Sequence, residues 1–80
     1  MDIHILAFGI AKDILGTRKV SLNLPDSSTL ADLRRDLLLK HPSFEKLNSL
    51  RFAVKQDYVN DDFLLTADDE VVIIPPVSGG

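Results

Sequence analysis

The first ten residues, MDIHILAFGI, alternate as an extended chain would. Ile3, Ile5 and Ala7 fall on one side and His4, Leu6, Phe8 and Ile10 on the other, which predicts a strand over residues 1–10. Both sides turn apolar toward its end. AKDILG then reads as a short connection with Gly16 as its turn residue, and RKVSLNL alternates cleanly, Val20, Leu22 and Leu24 inward, Lys19, Ser21 and Asn23 outward. That pattern predicts a half-buried strand returning beside the first as a hairpin. Pro25-Asp26 interrupts it, and Thr29, with Asp32 three residues on, is a candidate helix N-cap in a variant of the capping box. Leu30, Leu33 and Leu37 then recur at helical spacing, joined by Ala31 and Leu38, and Pro42 sets the helix end near His41. SFEKLNSL reads as one helical turn with Phe44 and Leu47 on a common side. RFAVKQ, followed by the polar NDD and then FLL, predicts a third strand and a short edge piece. TADDE is a turn, and EVVIIPP is a last strand ended by prolines, which cannot donate to a ladder.

The resulting order is strand, strand, helix, strand, short strand, strand. One helix with one apolar stripe covers one face of a mixed sheet, an α+β arrangement. The order is that of the ubiquitin-like β-grasp, in which the first and last strands lie parallel and adjacent. Residues 1–74 are expected to form this domain and residues 75–80 an extended tail. If the helix covers the side of Ile3, Ile5, Ala7, Val71 and Ile73, then Leu6, Phe8, Ile10, Val72 and Ile74 share the opposite side. An apolar patch of that kind marks a partner surface, unless a loop or the Phe44 segment folds over it.

Composition narrows the chemistry. Eighty residues suffice for one small core, and with no cysteine the chain has neither disulfides nor a nucleophilic thiol of its own. A net charge of -3 argues against a phosphate-binding surface, so nucleic acid is not an expected partner. Arg34, Arg35 and Lys40, flanked by Asp32 and Asp36, read as a solvated helix face. Val71 to Ile74 is far too short to span a bilayer and the N-terminal stretch lacks a basic leader, so no membrane association is expected and the location is expected to be cytoplasmic. His4 and His41 sit at element ends without a nucleophile motif. Asp57, Asp61, Asp62 and the run Asp68 to Glu70 lack the spacing of a calcium loop, and no metal site is expected.

The chemistry is expected at the end of the chain, PPVSGG. Pro75 and Pro76 favour extended backbone, Val77 and Ser78 continue it, and Gly79 and Gly80 carry no side chain. At ~3.1 Å per residue such a segment reaches roughly 20 Å, enough to enter another protein's pocket. The α-carboxylate of Gly80, ionised at neutral pH, is a poor electrophile until activated, and adenylation by ATP on a partner enzyme is the expected activation.

IIPPVSGG at the end, DEVVIIPP before it, FAVKQ in the third strand and AFGIAKDILG near the start together resemble the MoaD-like family of sulfur carriers, which holds the small subunit of molybdopterin synthase. The resemblance spans essentially the whole chain, and PPVSGG is its most specific part. It implies that an adenylyltransferase of the ubiquitin-activating type adenylates Gly80 and that a sulfur donor converts the adenylate to a thiocarboxylate. It implies further that the tail enters the large synthase subunit, in a heterotetramer with two large subunits, and gives its sulfur to cyclic pyranopterin monophosphate. The small subunit would bind no cofactor and would not be an enzyme by itself. By matching positions, Gly80 is the reactive terminus, Gly79 belongs to the tail, and Phe8, Ile74 and Tyr58 are docking residues. Two positions depart from the family pattern: Lys55, where Asn is more frequent before the Gln, and Asp68, where glycine is common. Alternatives are a carrier for another pathway such as thiamine synthesis, a ubiquitin-like modifier joined to lysines through Gly80, and a passive interaction domain with an inert tail.

Overall fold

The computed structural model of the chain describes residues 1–46 and 50–74. Five strands form one mixed sheet in the order β2-β1-β5-β3-β4. The first strand, β1 (Asp2–Ala7), lies antiparallel to β2 (Lys19–Asn23) and parallel to β5 (Glu70–Ile74). On the far side of β5 run β3 (Arg51–Val54) and then β4 (Asp57–Val59), each antiparallel to its neighbour. The parallel pairing of first and last strands is the one expected from the element order.

The alternation of the strands decides which side is core. Ile3, Ile5, Ala7, Val71 and Ile73 are fully buried beneath the stripe of Leu30, Leu33 and Leu37 on α2 (Leu30–Lys40). Helix α2 starts where the sequence places its cap. The Thr29 N–H donates to Asp32 Oδ2 at 2.9 Å, and the Asp32 N–H reaches back to Thr29 Oγ1 at 3.4 Å, closing a reciprocal box. The Thr29 N–H is also the main reason the Asp32 carboxyl sits below its usual range. The Thr29 hydroxyl and the Arg35 charge add to this, while desolvation opposes it. At the other end His41, ahead of Pro42, is the C-cap, its N–H donating to Leu37 O at 2.8 Å.

Two local expectations are corrected and a third is made specific. The first strand ends at Ala7, not at residue 10, and AKDILG is not a plain connection. Gly9, at φ +56°, turns the chain out of the sheet, and a short helix, α1 (Gly9–Leu15), follows. It buries Ala11 fully and packs Ile14 and Leu15 against the core. Gly16 ends it in the left-handed conformation, φ 78°, with its N–H donating to Lys12 O at 2.8 Å. Second, the short edge strand is Asp57–Val59, ahead of NDD, and not FLL. In FLL, Leu65 is buried and Leu64 makes only an isolated bridge to Thr29. Third, the helical turn after α2 is a 3-10 helix, Pro42–Lys46. It seats Phe44, 1% exposed, in the core, edge-on to the His41 ring at 6.2 Å. Phe44 therefore joins the helix-side core and does not cover the other face. Its expected companion Leu47 lies outside the described residues.

Candidate functional site

The register of the sheet builds the face turned away from α2. Leu6 stands beside Lys19 of β2 and Val72 of β5, Val72 beside Ala53 of β3, and Ala53 beside Tyr58 of β4, one row across the sheet. On one side of this row lies Ile74 opposite Arg51, and on the other a polar row of Ser21, His4 and Glu70. The face is thus apolar along its middle and at the end of β5. Leu6, Val72 and Ile74 are half-buried, while Phe8 and Tyr58 are 50% and 63% exposed. Exposed aromatic side chains around a half-buried aliphatic strip are a combination found at protein docking surfaces.

Each expected docking residue occupies a distinct position. Phe8 follows β1 directly and is the N-cap of α1, with extended backbone. Ile74 ends β5, and so stands at the base of the following segment. Tyr58 lies on edge strand β4 with the Arg51 guanidinium 5.6 Å from its ring centroid. Ile10, expected on the strand with Phe8, belongs instead to α1, where it is 48% exposed. Pro75, Pro76, Val77, Ser78, Gly79 and Gly80 lie outside the described residues.

A cavity of about 690 Å³ opens on this face between the β3–β4 hairpin and the start of β5. Ala53, Tyr58, Val72 and Ile74 supply its apolar lining, with Lys55 and Gln56 at the hairpin turn and Asp68, Asp69 and Glu70 at the acidic rim. Lys55 and Asp68, the two departures from the family pattern, line the same cavity. Ala53, Arg51 and the acidic rim were missed as site residues from the sequence. Alternation in RFAVK was the available signal, since Arg51, Ala53 and Lys55 must oppose the buried Phe52 and Val54.

The basic residues of α2 are engaged elsewhere. Arg34 Nη2 meets Asp61 Oδ1 at 2.8 Å and its guanidinium lies 5.4 Å from the Phe52 ring centroid. Arg35 pairs with Asp32 at 3.6 Å and Lys40 with Asp36 at 3.1 Å, so the basic residues of α2 meet acids, as a solvated face requires. His4 places Nδ1 3.0 Å from Ser21 Oγ and Nε2 3.5 Å from Asp68 Oδ1. Among the described residues no group of three His, Asp or Glu side chains could hold a metal ion, and no helix is long and apolar enough to cross a membrane.

Comparison with known proteins gives a consistent result. The model of the ThiS family matches residues 5–80. The molybdopterin synthase sulfur carrier subunit of Arabidopsis thaliana is 35% identical over 81 residues, spanning 100% of this chain and 84% of the relative. The subunit of the same name from Dictyostelium discoideum is 38% identical over 83 residues, covering 99% and 96% of the two chains. Among solved structures, a putative molybdopterin converting factor subunit 1 from Pyrococcus furiosus superposes with a TM-score of 0.88 at 22% identity, over 96% of this chain and 99% of the other. The complex of subunits 1 and 2 of molybdopterin-converting factor from Helicobacter pylori 26695 contains a chain with a TM-score of 0.72 at 25% identity, both chains covered fully.

Proposed function

The chain belongs to the ThiS family, and on that premise we propose that it is the sulfur carrier subunit of molybdopterin synthase, acting in molybdenum cofactor biosynthesis in the cytoplasm. The observation that carries this reading is the full-length match to carrier subunits of that name, which runs through the Gly-Gly at positions 79 and 80. The fold suits the task. Parallel β1 and β5 leave Ile74 at the edge of an apolar face, so one docking event sets both the face and the segment after Ile74 against a partner.

The chemistry proposed for Gly80 begins with its carboxylate attacking the α-phosphate of ATP on a ubiquitin-activating-type adenylyltransferase. Pyrophosphate leaves and an acyl-adenylate forms. A donor of sulfide-level sulfur, acting as hydrosulfide, then attacks the acyl carbon; AMP leaves with the C–O bonding pair, and the new C–S bond makes a thiocarboxylate. In the synthase complex the thiocarboxylate sulfur forms a C–S bond at a side-chain carbon of the pyranopterin precursor as a C–O bond there breaks and the oxygen leaves with the bonding pair. Water then cleaves the acyl C–S bond of the resulting thioester, returning Gly80 as a carboxylate and leaving the sulfur on the pterin. Two such deliveries complete a dithiolene. Every step occurs in a pocket of a partner, so the chain contributes a docking face and a reactive terminus and is not an enzyme alone. Gly79 serves this scheme because a channel admitting bare backbone excludes any Cβ.

Intact-mass analysis of the protein from its native host tests the reading. The expected result is a fraction heavier by one oxygen-to-sulfur replacement, localised to the peptide ending at Gly80 and consumed on adding the large subunit and the pterin precursor. Absence of that species even with the activating enzyme, ATP and a sulfur donor would sink the carrier mechanism. An isopeptide adduct in its place would identify a protein modifier.

A further inference from the structure

Resting on the carrier reading, we propose that the acidic rim of the open-face cavity, Asp68 and Glu70, receives a basic side chain of the docked partner protein, whose aliphatic stem lies on Ala53 and Val72.

Three observations carry this. First, the two carboxylates have little to do within the domain. Asp68 is 83% exposed at its side chain and approaches only His4 Nε2, at 3.5 Å, a contact that is ionic only with a protonated imidazole. Glu70 is exposed and, among the described residues, makes no ion pair. Asp69 differs, because its Oδ2 already accepts the Thr66 N–H at 2.8 Å and holds the turn.

Second, the nearby cations do not neutralise the rim. Lys55 lines the same cavity without pairing to either carboxylate, and Arg51 is drawn to the Tyr58 ring instead. Third, the rim borders an apolar floor. A ligand that fits both must be long, aliphatic along its stem and cationic at its head, which describes arginine or lysine. Covering the floor excludes water and strengthens the charge contact. The same carboxylates repel phosphate, so a protein segment fits the cavity and a nucleic acid or anionic lipid surface does not.

The test measures binding of the purified large subunit of molybdopterin synthase from the same organism, by calorimetry at low and moderate salt. The variants are the double substitution Asp68→Asn and Glu70→Gln, and separately Phe8→Asp. Asn tolerates the left-handed backbone of Asp68, φ 65°, and Gln is isosteric with Glu, so the double variant should melt as the wild type does. The expected result is a loss of about tenfold or more in affinity at low salt, with a flatter salt dependence than the wild type. Unchanged affinity and salt dependence in the double variant, while Phe8→Asp still abolishes binding, overturns the rim contact and leaves the carrier reading standing. Failure of the wild type itself to bind overturns both.

Discussion

Asp32 shows how much one side chain can do at a helix start. Its carboxylate accepts the Thr29 N–H, and its own N–H turns back to the Thr29 hydroxyl, so two donors that the helix leaves unpaired are satisfied within four residues. The pair was legible in the sequence because capping is a local matter, needing only Thr and an acid three apart. The consequence for pH follows from the direction of the shift. Folding depresses the Asp32 pKa, so the stabilisation is present above the unfolded value of about 3.9 and disappears as the pH falls through the lower folded value. Urea midpoints of the wild type and Asp32→Asn should differ near neutral pH and converge once the pH falls below the depressed folded pKa. Asp68 was legible in another sense. A left-handed residue was needed in TADDE, and at φ 65° aspartate meets that need where glycine is common.

Among the elements, the β3–β4 hairpin and α1 show opposite sides of legibility. The hairpin turns on Lys55 and Gln56, both left-handed at φ 53° and 72°, between the closing pair Val54 and Asp57. Neither residue favours that region, so nothing in KQ announces a two-residue turn or the edge strand that follows it. Replacing the pair by Asn-Gly should remove the strain and raise stability on the order of 1 kcal/mol, measured by urea unfolding. Helix α1 is not legible in the sequence because seven residues do not sustain a helix by themselves. Its apolar positions Ala11, Ile14 and Leu15 have helical spacing, but only their packing against the sheet core makes the turn worthwhile. Helix α2, longer, capped and ended by Pro42, carries all its signals within its own segment.

At the scale of the whole molecule, the buried core and the proposed docking surface occupy opposite faces of the sheet. Phe8 is assigned to the second by the proposed function. It is half-exposed and stands at the N-cap of α1, where aspartate is a favoured residue, so Phe8→Asp should leave stability within about 0.5 kcal/mol. The same change should weaken association with the large subunit by about 2 kcal/mol or more, readable as a shift in Kd in the calorimetric titration. Removal of Gly80 should have the complementary effect. Thermal unfolding and docking should stay as in the wild type, while thiocarboxylate formation, followed by intact mass, is lost.

What the sequence determined by itself was whatever depends on neighbours within a few residues. The inward and outward sides of β1, β2 and β5, the capped helix α2, the TADDE turn and the identity of Gly79 and Gly80 all belong here, because alternation, capping and torsional preference act over short spans. Tertiary structure decided what depends on residues distant in the chain. Leu6, Val72, Ala53 and Tyr58 become one row only when β1, β5, β3 and β4 take their order and register. Phe44 becomes core, and Asp68 and Glu70 become the rim of a cavity, for the same reason. Which side a residue faces is a property of its strand, whereas what it faces is set by the cross-strand pairing that joins residues distant in the chain, such as Leu6 and Val72 in adjacent strands.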